Sequence, residues 1–416
     1  MKPVVISISP NTEKDDILLS LRVLLSPWKW FDEKAVSDFE NKFASYFGKN
    51  YKALAVNSGR SAEFLILKAM DIRKGDFVAI QALTCIAVSN PILWNDALPL
   101  YVDVDDSYNM DVGDLEKKLN GDVRCVIVQH SFGVPAKVEE IARVAKKHNI
   151  SVIEDCAVSM GGKYNGKKLG TFGDISFFSF GRDKVISSVF GGMILTSNQN
   201  YYKKLRLLRD NLAEPPKSWV IRQLLHPILF SFIKPSYFLG FRKYSIGKML
   251  LFVSQKLRIL DKAVYEKEKR GKKPELFPSK MPGALAVLAL HQFNKLDKFN
   301  KRRIGFHNSY LKMLEGTNFR CPSGVEGAIW LRVPIHELKS KEIIEFAKRQ
   351  NILLGDWYNK VVTPALDLEV IGYRKGSCPA AEMYAGCLLN LPTYPLMENS
   401  DVENVVSVLK LWESTK

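Results

Sequence analysis

Val123-Arg-Cys-Val-Ile-Val-Gln129 is an apolar run dominated by β-branched residues, and Ser151-Val-Ile-Glu154 is a second. Between them, Lys137–His148 sets Val138, Ile141, Ala142, Val144 and Ala145 on one side of a helix. Strand, helix, strand in about thirty residues is a crossover unit, and its two strands must lie parallel. The alternation continues on both sides. Strands are expected at Ala53–Val56, Phe77–Ile80, Pro99–Val104, Asp174–Ser179 and Gly192–Thr196, and helices at Ala62–Met70 and Ile86–Trp94. Such a text predicts an α/β fold built on a mostly parallel sheet. Ligands of these sheets gather at the carboxyl ends of the strands, where Asn57-Ser58-Gly59 and Asp155 fall.

A chain of 416 residues suggests two domains. We read residues 1–210 as the large domain, 211–277 as a helical insertion and 278–416 as a smaller α+β domain. The insertion follows the break at Pro215-Pro216. It holds two apolar stretches threaded with lysine and arginine, Trp219–Ile233 and Ile246–Val253, and closes in the charge-dense Tyr265–Lys273. The last domain opens with helix-period text at Ala284–Leu296 and Arg302–Leu314. It then reads as strand Ala328–Val333, helix Ser340–Gln350, strand Cys387–Leu391 and closing helix Asp401–Trp412. The six cysteines lie apart among apolar neighbours, which points to reduced thiols in a cytoplasmic protein and to neither a disulfide framework nor a metal site. Met1–Ile6 is too short and soon polar to be a secretory signal, and no apolar run reaches the roughly 20 residues a membrane span needs. The net charge of +16 favours anions: nucleoside diphosphates, anionic lipid or nucleic acid. Nucleic acid ranks last, because no recognised nucleic-acid-binding fold accompanies the charge.

The stretch Asp174-Ile-Ser-Phe-Phe-Ser-Phe-Gly-Arg-Asp-Lys184-Val-Ile-Ser-Ser-Val-Phe-Gly191-Gly192 isolates one lysine between an aromatic run and a glycine pair. Upstream, Glu154-Asp155 closes an apolar strand. These are the two groups that pyridoxal phosphate (PLP) chemistry requires. Lys184 supplies an amine for a Schiff base with the cofactor aldehyde, and Asp155 keeps the pyridine nitrogen protonated.

Several patterns in order resemble the DegT/StrS-type sugar aminotransferases: Asn57-Ser-Gly-Arg-Ser-Ala62, Leu100-Tyr-Val-Asp-Val-Asp105, His130-Ser-Phe-Gly-Val-Pro135, Val152-Ile-Glu-Asp-Cys-Ala157, Gly170-Thr-Phe-Gly-Asp174, Phe178-Ser-Phe180, Lys184 and Gly191-Gly192. Cys378-Pro-Ala-Ala-Glu382 and Leu391-Pro-Thr-Tyr-Pro395 add a C-terminal echo, and the insertion stays uncovered. The resemblance implies the fold of type I PLP enzymes, a homodimer, and transfer of an amino group from an amino acid, glutamate by analogy, to a nucleotide-linked keto-sugar in surface polysaccharide or glycan biosynthesis. It implies Lys184 as Schiff-base former and proton shuttle and Asp155 as pyridinium partner. Ser58, Gly59, Arg60 and Ser179 resemble the phosphate cradle, with Arg60 where the family usually has a small hydroxylated residue.

Departures from the pattern bear on specificity. Cys85 stands where the family often stacks an aromatic ring on the cofactor, and Val158 where a glutamine commonly bonds its phenolic oxygen. Val185 and Phe190 replace polar residues, and Phe277-Pro278-Ser-Lys-Met281 lacks an asparagine that reaches across the dimer. His130 resembles a position near the cofactor, with a structural role equally open. Two other functions stay in view. One is dehydratase-like PLP chemistry, against which Lys184 argues because the related dehydratases carry histidine there. The other is a non-catalytic scaffold or regulator at a membrane. The insertion itself reads either as packed or subunit-interface helices, or as basic amphipathic helices in peripheral contact with an anionic membrane at its inner face.

Overall fold

The computed structural model describes residues 3–241 and 244–415. A seven-stranded sheet forms its centre. Its strands are β1 (Lys52–Val56), β2 (Phe77–Gln81), β3 (Leu98–Val102), β4 (Val123–Gln129), β5 (Ser151–Asp155), β6 (Ile175–Ser179) and β7 (Gly192–Thr196). They lie in the order β1-β7-β6-β5-β4-β2-β3. β7 is antiparallel to both neighbours and the remaining pairs are parallel, as expected for an α/β fold. Parallel strands need helices on both faces, which is why they read as nearly continuous apolar runs. α3 (Gly59–Ala69), α4 (Ile86–Trp94) and α7 (Gln199–Asp210) cover one face, where Leu65, Ile86 and Leu205 meet Val78, Ile80 and Ile127. On the other face α5 (Val112–Lys118) and α6 (Val138–Lys147) bring Leu115, Val138 and Ile141 to Ala79, Val126 and Val128. Adjacent residues of β2 and β4 thus serve opposite cores, as the period of two requires.

Two N-terminal helices, α1 (Lys14–Leu24) and α2 (Glu33–Phe47), pack beside this sheet. Phe39 and Phe43 enter an aromatic cluster with Phe178 and Phe180. Centroids lie 5.2 Å apart for Phe39–Phe180 and 4.9 Å for Phe43–Phe178. The aromatic run before Lys184 is therefore pinned from below by edge-to-face contacts. α8 (Lys217–Ile233) joins the same cluster through Trp219, Val220 and Leu224, and the Ser20 hydroxyl donates to the Leu224 carbonyl at 2.7 Å. α8 is thus a packed helix. α9 (Ile246–Lys256) is not: Gly247 is its one buried residue. None of the described helices is long and apolar enough to cross a membrane.

α10 (Gly283–Phe293) and α11 (Leu296–Met313) lead to the C-terminal part, where β8 (Arg332–His336) pairs antiparallel with β9 (Leu388–Pro392). α12 (Ser340–Arg349) and α14 (Asn399–Ser414) cover this pair, with Ile343, Val405 and Leu409 in a core shared with Tyr310. A short α13 (Pro379–Tyr384) precedes β9. The strand expected at Ala328–Val333 begins only at Arg332. Trp330 there takes φ +52°, and its ring stacks on His307 with centroids 3.8 Å apart, so side-chain packing overrides the extended backbone its neighbours suggest.

Candidate active site

Parallel strand order brings the carboxyl ends of β1, β6 and β5 to one edge, and reversed β7 starts there. Ser179 pairs with Gly192, Gly192 with Val56, and Phe177 with Asp155. The approach is close enough to demand glycine. A Cβ on Gly192 would lie 2.3 Å from the Ser58 carbonyl oxygen, and one on Gly59 would lie 3.0 Å from Ser179 Cβ. Ser58 caps α3, its hydroxyl accepting from Ser61 N at 3.1 Å. The first N–H groups of α3, which have no intrahelical acceptor, therefore start at this edge.

Ser58, Gly59, Arg60, Cys85, Asp155, Val158, Ser179 and Lys184 all line one cavity of about 170 Å³. The Lys184 amine stands 5.7 Å from the centroid of the Trp357 ring. Burial pushes this amine below its ordinary range, with Cys85, Asp155 and Asp183 opposing. Burial likewise pushes the Asp155 carboxyl up, against the Ala157 N–H donated to Oδ1 at 2.9 Å and the positive charge of Lys184. The backbone of the lysine is held firmly. Asn11 Nδ2 donates to the carbonyls of Lys184 (2.6 Å) and Val185 (3.1 Å), and buried Arg303 donates to the latter at 2.7 Å.

Glu154 alternates to the opposite side of β5 from Asp155. It accepts from the N–H groups of Gly170, Phe172 and Gly173 and from His130 Nε2 at 3.3 Å. Since His130 Nδ1 accepts from Ala136 N at 3.1 Å, Nε2 carries the proton. His130 is fully buried and does not line the cavity, and through Glu154 it is tied to the turn at Gly170–Gly173.

Several cavity residues were not singled out by sequence. Arg182 and Asp183 adjoin Lys184, and Trp357 and Tyr358 come from the C-terminal part. Arg182 Nη1 donates to the Asp261 carbonyl at 2.6 Å, while Nε and Nη2 are buried without a partner. Burial lowers this guanidinium to about 10. Arg60 is engaged from across the cavity, in an ion pair with buried Glu268 and a 3.3 Å bond to the Ala263 carbonyl, both within the stretch that follows α9. In place of a ring at position 85, the aromatic wall comes from Phe177, Phe190, Trp357 and Tyr358.

Glu63 is the least expected member. It follows Arg60 by one turn of α3 and is 1% exposed, and neither of its oxygens has a hydrogen-bond partner. Burial, with Asp155 and Cys85 adding to it, raises its carboxyl well above the ordinary range. A carboxyl that binds its proton more tightly when folded contributes full stability below its unfolded pKa. It loses that contribution as pH rises toward the folded pKa, at about 1.4 kcal/mol per pH unit. Glu63→Gln is therefore expected to flatten the decline in stability above about pH 5. Urea midpoints of the cofactor-free protein at about pH 5 and about pH 7 measure it, and equal declines in both proteins would reject the assignment.

The arrangement fits PLP. The unpartnered Arg182 nitrogens, the α3 N-terminus and Ser179 suit a phosphate, Asp155 suits a protonated ring nitrogen, and Lys184 borders the same cavity.

The model of the "DegT/DnrJ/EryC1/StrS aminotransferase family" matches residues 11–219 and 254–410. A GDP-perosamine synthase of Escherichia coli O157:H7 is 39% identical over 194 residues, 46% of this chain and 53% of that protein, so the matched stretch spans about half of it. The spore coat polysaccharide biosynthesis protein SpsC of Bacillus subtilis is 27% identical over 412 residues, 96% of this chain and 95% of its own. Among solved structures, Helicobacter pylori PseC, an aminotransferase involved in the biosynthesis of pseudoaminic acid, superposes with a TM-score of 0.76 over 99% of this chain and 100% of its own, at 20% identity. That likeness establishes the fold.

Proposed function

This chain belongs to the DegT/DnrJ/EryC1/StrS aminotransferase family, and on that premise we propose that it moves the amino group of glutamate to a keto-sugar carried on a nucleoside diphosphate, for a surface polysaccharide or glycan. The protein is a PLP-dependent aminotransferase. The proposal includes a homodimer working in the cytoplasm.

The observation that carries the reading is one cavity lined by both Lys184, in the loop that follows β6, and the buried Asp155 at the end of neighbouring β5. When bound, PLP takes up the amino group and delocalises the electron pair left as the adjacent C–H bond breaks. Lys184, its amine favoured neutral by burial, would take the proton from the donor's α-carbon in one half-reaction and deliver a proton to the acceptor carbon in the other, passing it to or from the cofactor within each. Asp155 holds a proton at the ring nitrogen by its negative charge. Arg182, Ser179 and the α3 N-terminus bind the phosphate. Trp357 and Tyr358 exclude water from the side facing the C-terminal part. The chain's net charge of +16 favours an anionic acceptor, and a similar protein is named for making GDP-perosamine.

The test incubates the holoenzyme with glutamate and, in turn, GDP-, dTDP- and UDP-linked keto-hexoses, followed by mass spectrometry. The expected result is exchange of ketone oxygen for an amine, with an equal amount of 2-oxoglutarate released. Loss of a sugar hydroxyl without a new amine means dehydratase chemistry instead. No turnover with any sugar nucleotide rejects the acceptor class.

A further inference from the structure

The family match stops at residue 219 and resumes at 254, leaving most of α8 and α9 outside it. Residues 215–260 contain eight lysines or arginines and no aspartate or glutamate. Within this segment α8 spends its apolar face on the large domain, but α9 does not. Ile246, Met249, Leu250, Val253 and Leu257 recur at i, i+3, i+4, i+7 and i+11, a single helical stripe, and each is between 41% and 64% exposed. Phe252, 64% exposed, stands beside it. Lys256 and Arg258 are exposed next to the stripe, and Lys248 sits at its border, over the rings of Tyr237 and Phe238 at 5.5 Å. The start of the helix is seated closely on the end of α8. A Cβ on Gly247 would lie 2.5 Å from the Ile233 carbonyl oxygen and 2.6 Å from Tyr237 Cα, so only glycine permits the contact.

An exposed apolar stripe of this extent marks a binding face, and the charge around it selects the occupant. A second copy of the chain meeting it about a two-fold axis would set these cations against themselves, with no acidic residue in the segment to receive them. An anionic lipid surface satisfies both features, since acyl chains take the stripe and headgroup phosphates take the lysines and arginines. We propose that α9 docks the enzyme on an anionic membrane surface, lying in the plane of the headgroups. This proposal is independent of the sugar acceptor.

Flotation of the full-length holoenzyme tests it, with vesicles of phosphatidylcholine alone or with about one third phosphatidylglycerol, at low and high salt. Recovery is expected with the anionic vesicles at low salt, and high salt should reduce it as the attraction is screened. Lys248→Glu/Lys256→Glu/Arg258→Glu should lower partitioning at least about tenfold. Met249→Ser/Phe252→Ser/Val253→Ser should lower it comparably, with transaminase activity in solution unchanged in both variants. Failure of the wild-type protein to float with anionic vesicles at low salt overturns the proposal, as does equal recovery with neutral vesicles. So does a fall in the solution mass of the serine variant by light scattering, which would make the stripe an interface between copies.

Discussion

Lys184→Ala should abolish covalent capture of the cofactor and lower transamination at least about a thousandfold, because one substitution removes both the nucleophile and the proton carrier. The fold should survive, since the bonds from Asn11 and Arg303 reach the backbone carbonyls of residues 184 and 185 and not the amine. Borohydride reduction followed by peptide mapping reads the result directly. In the wild-type protein the pyridoxyl label should fall on Lys184 and in the variant on no lysine. A label on another lysine of the wild-type protein would overturn the assignment.

Asp155→Asn should lower turnover by about 10²- to 10⁴-fold while leaving cofactor occupancy nearly intact. The amide keeps the side-chain oxygen that accepts from Ala157 N, so the strand end is preserved. What it loses is the negative charge that holds a proton at the ring nitrogen, without which the ring is a poor electron sink. On the proposed reading, occupancy should be held mainly by the phosphate end, around Ser179, Arg182 and the start of α3, all of which line the cavity. Absorbance of the bound cofactor measures occupancy, and single-turnover mixing with glutamate measures the chemical step. Turnover near the wild-type rate in a folded, loaded variant would remove Asp155 from the mechanism.

The central sheet was legible because each strand is a short β-branched run and each crossover helix carries its own apolar period. The strand ends followed, and with them Asn57-Ser58-Gly59 and Asp155. Lys184 was legible by its setting between an aromatic run and two glycines. The residues that escaped are those whose meaning lies in a distant partner. Phe39 and Phe43 carry no motif and matter through Phe178 and Phe180. Trp357 reaches the cavity from the far end of the chain, and Glu63 looks like any polar residue on a helix until its burial is known. The two insertion helices show the same limit. Both read as apolar text threaded with cations, yet α8 meets α1 and buries its face, while α9 meets few neighbours and keeps its stripe outside. Local periodicity states that a helix has an apolar side and not what that side touches.

The clamp on Lys184 also sets an order of assembly on the ribosome. A nascent chain that has emerged only as far as α10 already holds all seven strands of the sheet, with Lys184 and Asp155 in place along it. It still lacks Arg303, the buried cation that ties Asn11 and the Val185 carbonyl together. The segment bearing Lys184 is therefore fixed by Asn11 and Arg303 together, one emerging before the sheet and the other after it. A chain that stops short of α11 would therefore carry Lys184 without the contact that settles its backbone.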